Sequence, residues 1–114
     1  MRLRDAAYLL DMLQACLRLQ RYLQDIPLDQ FLEDDLLQDA VRARLAVLGE
    51  AARRVSDDTR SALGDVDWRR IIGTRNFIVH EYDTVDPEVV WDTVNKDVPR
   101  LIRALEGVLP PESH

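Results

Sequence analysis

Apolar residues recur along this chain at three- and four-residue steps, the interval that lines up one face of an α-helix. From residue 3 to about residue 26, Leu3, Ala6, Leu9, Leu10, Leu13, Leu17 and Leu23 trace one long amphipathic helix, closed by Pro27. Residues 28–33 suffice for a short helical turn. A second long helix follows through Leu36, Leu37, Ala40, Val41, Leu45, Leu48, Ala52 and Val55, antiparallel to the first. Gly49 falls inside it, where glycine costs about 1 kcal/mol against alanine, so a close helix crossing is expected there.

Ser56 is placed to cap a short turn through Thr59 and Ser61 that ends at Gly64, and Asp67 to cap what begins at Trp68. The third main helix carries Trp68, Ile71, Ile72, Phe77 and Ile78 to near His80, with Gly73 as a weak point. Asp86 and Pro87 open the last long helix, through Val90, Trp91, Val94, Val98, Leu101, Ile102, Leu105 and Val108. Pro99 lies within that pattern and should kink the helix about one turn upstream, near Asn95. The pattern predicts an all-α fold, an antiparallel helical bundle of four long helices plus short helical turns. It is read as a single domain, 1–114, with 107–114 a frayed tail, and its apolar faces leave room for a dimer interface.

Composition narrows the function. A formal net charge of −6 argues against broad nonspecific nucleic-acid binding, so any RNA site must be local. The basic residues are arginines apart from Lys96, and the planar arginine fork holds a phosphate by two points. Cys16 stands alone among apolar positions, where a free thiol serves as a small hydrophobe and a reducing cytoplasm is the simplest home. Asp5, Asp11 and Gln14 interrupt the apolar pattern of the first helix, so a signal peptide or a membrane span is not expected.

The window from residue 73 to residue 83 gathers Arg75, Asn76, His80 and Tyr82: a permanent cation, an amide, an imidazole and a phenol. Histidine can take a proton from a ribose 2′-hydroxyl or give one to a leaving oxygen, and arginine can offset charge growing on phosphorus oxygens. A five-residue step turns through roughly 140° on a helix, so Arg75 and His80 do not share a face. A loosened backbone at Gly73, the reach of the arginine, or a meeting across a twofold axis would each reconcile them. The alternative is a set of surface ion pairs, with Glu81 or Asp83 satisfying either residue. A metal enzyme fits poorly, because His80 and His114 are the only histidines and no E-x-x-H pair links the helices.

Arg75, His80 and Tyr82 reproduce the R-x4-H-x-Y motif of HEPN-superfamily toxins of the HepT-like group. The stretches Asp39-Ala40-Val41, Leu48-Gly49-Glu50-Ala51-Ala52, Val66-Asp67-Trp68, Thr74-Arg75-Asn76, His80-Glu81-Tyr82-Asp83, Val90-Trp91 and Asp97-Val98-Pro99-Arg100-Leu101 resemble that group in the same order. The resemblance implies a HEPN-like bundle that dimerises with two motifs facing a shared cleft. It implies a metal-independent endoribonuclease acting on transfer or messenger RNA, with no cofactor and no DNA or membrane partner. Catalysis falls to Arg75 and His80, with Asn76 in support. Tyr82 matches the tyrosine to which a partner antitoxin, a minimal nucleotidyltransferase of MntA type, transfers AMP. An adenylate there would add bulk and negative charge beside His80. Arg53, Arg54, Arg69 and Arg70 are candidates for an RNA-binding collar, against the alternative of a solvated helix face balanced by acids. A non-catalytic helical module that presents Tyr82 to a nucleotidyltransferase is the other reading.

Overall fold

The computed structural model describes residues 2–81 and 84–109. Among these are six helices and no strand: α1 (Leu3–Leu23), α2 (Leu28–Leu32), α3 (Asp35–Arg54), α4 (Asp57–Ala62), α5 (Trp68–His80) and α6 (Pro87–Glu106). The all-α expectation is met, with α1, α3, α5 and α6 as the four main helices. Their starts are written locally. Asp34, Ser56, Asp67 and Asp86 each accept a backbone N–H of the first turn, and Pro87 opens α6. α1 ends three residues earlier than its periodicity suggests. Asp25 takes a positive φ of 59°, a left-handed conformation that aspartate tolerates and that turns the chain before Pro27.

α1 is the spine, packed on α3 along one side and on α6 along the other, while α5 leans against α3. Asp5 at the start of α1 bonds Ser56 just past α3, and the Trp91 indole of α6 donates to the Ile26 carbonyl beyond the end of α1. Both contacts require antiparallel neighbours. The core joins Leu9, Met12, Leu13, Cys16 and Leu19 of α1, Val41, Leu45 and Leu48 of α3, and Val94, Val98, Leu101 and Leu105 of α6, with Phe31 of α2 closing one end. Full burial of each such side chain is worth roughly 1.5–3 kcal/mol. Burial also pushes the Cys16 thiol up to about 12, which keeps it an inert hydrophobe. No helix among the described residues is long and apolar enough to cross a membrane.

Three expectations are corrected. Leu3 and Leu36 fit the apolar stripes but stand exposed, because each lies in the first turn of its helix. Of the tail expected to fray, residues 107–109 stay attached, Leu109 being 6% exposed with its N–H on the Leu105 carbonyl, and residues 110–114 lie outside the described residues. Gly73 does not loosen α5, which is helical from Trp68 to His80. As expected of a helix that continues past its proline, α6 is helical on both sides of Pro99, and the Asn95 side chain donates to the Trp91 carbonyl at 2.9 Å.

Asp5 is the buried charge of the fold, 2% exposed. Its carboxylate accepts from the Ser56 hydroxyl at 2.6 Å, the Ser56 amide at 2.9 Å and the Thr59 hydroxyl at 2.7 Å, which ties α4 to the start of α1. The Ser56 and Thr59 hydrogen bonds hold its carboxyl down at about 2. A group depressed in the fold titrates first in the unfolded chain, so its contribution is complete above about pH 4 and is lost as pH falls toward 2. Asp5→Asn should therefore lower the thermal midpoint by roughly 5–10 °C at pH 7 and flatten its fall below pH 4. Thermal melts at pH 7 and pH 2.5 check this, and an unchanged acid limb in the variant contradicts it.

Candidate active site

The site is built where α3 and α5 cross. An alanine methyl at Gly49 would overlap the Arg75 Cβ outright, come within 2.9 Å of its Cγ, and lie 3.1 Å from the Ile71 carbonyl. Only glycine lets the two backbones approach this closely. The close approach anticipated from Gly49 is thus real, and what approaches is Arg75 itself.

Once α5 is seated, the Arg75 side chain has a defined path along α3. Its guanidinium reaches Glu50 Oε2 at 3.2 Å and donates to Asn76 Oδ1 at 2.9 Å. Glu50 is a hub: Arg53 meets it at 2.7 and 3.2 Å and Arg54 at 3.1 Å. The Arg53 and Arg54 hydrogen bonds, with the Arg53 and Arg75 charges behind them, hold its carboxyl at about 2 against the opposing cost of its partial burial. Three cations share one anion, so the cluster stays net positive on an acidic chain.

Sequence reasoning named Arg53, Arg54, Arg75 and Asn76 but not the carboxylate that gathers them. The signal was present, since Glu50 lies three and four residues before Arg53 and Arg54, the spacing of helical ion pairs.

The four-arginine collar divides. Arg53 and Arg54 adjoin Arg75 through Glu50. Arg70 instead pairs with Asp97 of α6 at 2.8 Å, beside a cavity of about 210 Å³ between α5 and α6. Arg69 is exposed in the first turn of α5 and joins no ion pair among the described residues.

His80 is the last residue of α5, exposed, and its imidazole makes no hydrogen bond to a described residue. With α5 regular throughout, Arg75 turns toward α3 and the five-residue step carries His80 to another side of the helix. The structure does not bring these two together within one chain. Tyr82 lies outside the described residues. Among the described residues no group of three or more His, Cys, Asp or Glu side chains is arranged to hold a metal ion.

α5 is also the least covered of the long helices. Ile78 is its only buried residue, and Phe77 and Val79 remain half exposed, with Val89 of α6 beside Phe77 in the same groove.

Comparison with known proteins places these features in a family. The model described as Ribonuclease HepT-like matches residues 12–108. A Methanocaldococcus jannaschii protein named "Putative RNase MJ1380" is 31% identical over 102 residues, covering 90% of this chain and 94% of its own length. "Putative RNase TTE0752" of Caldanaerobacter subterraneus is 30% identical over 105 residues, 92% of this chain and 94% of its own. The "Probable ribonuclease HepT" of Thermococcus cleftensis is 32% identical over 94 residues, 82% of this chain and 86% of its own. No solved structure gives a significant match.

Gly49 and Gly73 make opposite predictions. Gly49→Ala should cost about 1–3 kcal/mol through overpacking against Arg75, despite a better helix propensity. Nothing lies within 4 Å of a methyl at Gly73, so Gly73→Ala should gain up to about 1 kcal/mol. Urea denaturation of both variants decides it, and a Gly49→Ala protein as stable as the parent would contradict the crossing.

Proposed function

This chain belongs to the Ribonuclease HepT-like family, and we propose that it is a metal-independent endoribonuclease of toxin type, cutting transfer or messenger RNA and silenced by modification of Tyr82. The observation that carries this reading is an arginine fixed at a helix crossing, on the same helix that ends at an exposed imidazole with no side-chain hydrogen bond to a described residue.

His80 takes the 2′-hydroxyl proton as that oxygen attacks phosphorus. The bond to the 5′ oxygen breaks, and the leaving oxygen acquires a proton. Products are a 2′,3′-cyclic phosphate and a 5′-hydroxyl end. Arg75 offsets the charge gained by the non-bridging oxygens, and Asn76, whose carbonyl oxygen is taken up by Arg75, keeps its amide hydrogens for the substrate.

The division of Arg75 and His80 between two sides of α5 supports a homodimer in which Arg75 of one copy faces His80 of the other. The half-exposed Phe77, and Val89 beside it, are the apolar surface such a contact would cover. Tyr82, two residues beyond His80, is where a cognate nucleotidyltransferase of MntA type would act. The phenol oxygen attacks the α-phosphate of ATP and pyrophosphate leaves. The resulting phosphodiester carries a negative charge that repels an RNA phosphate.

Purified protein should cut single-stranded RNA in excess EDTA and leave cyclic phosphate ends, with His80→Ala and Arg75→Ala slower by about 100-fold or more. Mixing the two inactive variants and allowing subunits to exchange should restore about a quarter of the activity, because half the dimers then hold one intact composite site. Wild-type cleavage by His80→Ala overturns the reading, and failure of the mixture to regain activity overturns the shared site. Incubation with the nucleotidyltransferase and ATP should add one or more AMP masses to the Tyr82 peptide. Equal labelling of Tyr82→Phe excludes that position.

A further inference from the structure

A groove of about 540 Å³ opens along α1 and α3 beside the Glu50 cluster, on the opposite side of α3 from the α5–α6 cavity. Tyr8, Arg54, Glu50 and Arg75 line one end of it. Arg18 and Arg44 line it as well. Antiparallel packing that sets Tyr8 beside Arg54 brings Arg18 level with Arg44, ten residues or about 15 Å away along α3. Between these ends the floor is apolar and open, with Ala15, Ala51 and the half-exposed Val47 and Val79.

Two observations mark the far end as a place for an anion. Neither Arg18 nor Arg44 forms an ion pair with a described carboxylate. The Arg44 Nε is buried and makes no hydrogen bond to a described residue, whereas most buried donors in folded proteins are satisfied. The lining carries Arg18, Arg44, Arg54 and Arg75 against Asp11 and Glu50, a local excess of cations on a chain of net charge −6. Cations at both ends and an apolar floor between match a sugar-phosphate chain whose bases rest on the floor. A duplex is too wide for a groove between helices whose axes lie about 8–10 Å apart.

We propose that this groove is the substrate track of the site: it holds the backbone of single-stranded RNA, with Arg18 and Arg44 gripping a phosphate remote from the one that faces Arg75. This rests on the ribonuclease reading for the identity of the polymer, but binding is separable from cleavage.

The probe is a fluorescent 2′-O-methyl single-stranded oligoribonucleotide, which lacks the attacking hydroxyl and cannot be cut. By anisotropy, the Arg18→Gln, Arg44→Gln double variant should bind it about tenfold more weakly at low salt, with the slope of log K against log salt shallower by about 1. An Arg100→Gln, Arg103→Gln protein carries the same charge change on α6 and should stay within about twofold of wild type. Should the double variant fail to fold, Arg18→Gln alone, at an exposed position, should still weaken binding about threefold. Equal losses in the two double variants reduce the effect to net charge and overturn the track. So does unchanged binding, or a loss accompanied by dissociation of a dimer in sedimentation, which would make the groove an interface between copies. His80→Ala that still cleaves RNA would sink the ribonuclease reading while leaving this result standing.

Discussion

Everything at the candidate site depends on how closely α5 can approach α3, and one missing methyl group sets that distance. Gly49 admits the Arg75 Cβ and the Ile71 carbonyl into space that any other residue would fill. Arg75 then runs along α3 to the carboxylate of the very next residue, Glu50, and its direction is fixed by packing at its root and by charge at its tip. A long arginine side chain loses considerable rotamer freedom when it is held in one place. Here that loss is met by the fold, so in the proposed reaction a substrate phosphate would not have to meet it again. Glycine in a helix weakens the helix, and at this position the weakness is exchanged for placement of a cation.

The same cluster explains how an acidic protein can handle a polyanion. Charge averaged over the chain is negative, yet Glu50 faces Arg53, Arg54 and Arg75 together, and the carboxylate stays ionised far below neutral pH. Its role is to order the cations without cancelling them. Exposed ion pairs of this kind contribute little to stability. Their value here is geometric: three guanidinium groups that would otherwise spread apart by mutual repulsion are held together, two of them, Arg54 and Arg75, lining one end of the α1–α3 groove. Most of the remaining acidic residues lie on exposed surface, where they leave that edge unaffected beyond a screening length.

How much of this was legible in the sequence follows from the range over which each feature is determined. Helix starts are local, and Ser56, Asp67 and Asp86 cap where their chemistry says they should. The apolar stripes gave the partners of α1 because burial follows the 3.6-residue period, but the same period could not tell that Leu3 and Leu36 extend past their neighbours. Gly49 announced a close approach without saying to what. Glu50 as an organiser was half legible, through its spacing to Arg53 and Arg54, while its bond to Arg75 joins residues in different helices. The splitting of the arginine collar had no local signal at all. Arg69 and Arg70 sit beside each other in sequence, and only the tertiary placement of α6 brings Asp97 within reach of Arg70.

The five-residue spacing of Arg75 and His80 now has a physical meaning. A helix that placed both on one face would let each engage the other's partners, and the histidine would fall among the Glu50 carboxylate and its arginines. Regular helix through Gly73 instead separates the roles. The arginine belongs to the interior seam between α3 and α5, where its position is rigid. The imidazole stands at the free end of α5, unbonded to described residues and able to turn toward whatever approaches. If Arg75 and His80 carry the proposed reaction, this arrangement would be incomplete as a catalyst in one copy, since the fixed charge and the imidazole point to different spaces. In the homodimer proposed above, a second copy related by a twofold axis would present the missing group from the other side, over the apolar surface that α5 leaves open at Phe77. The spacing that looked like an obstacle to catalysis is therefore what would make activity conditional on assembly.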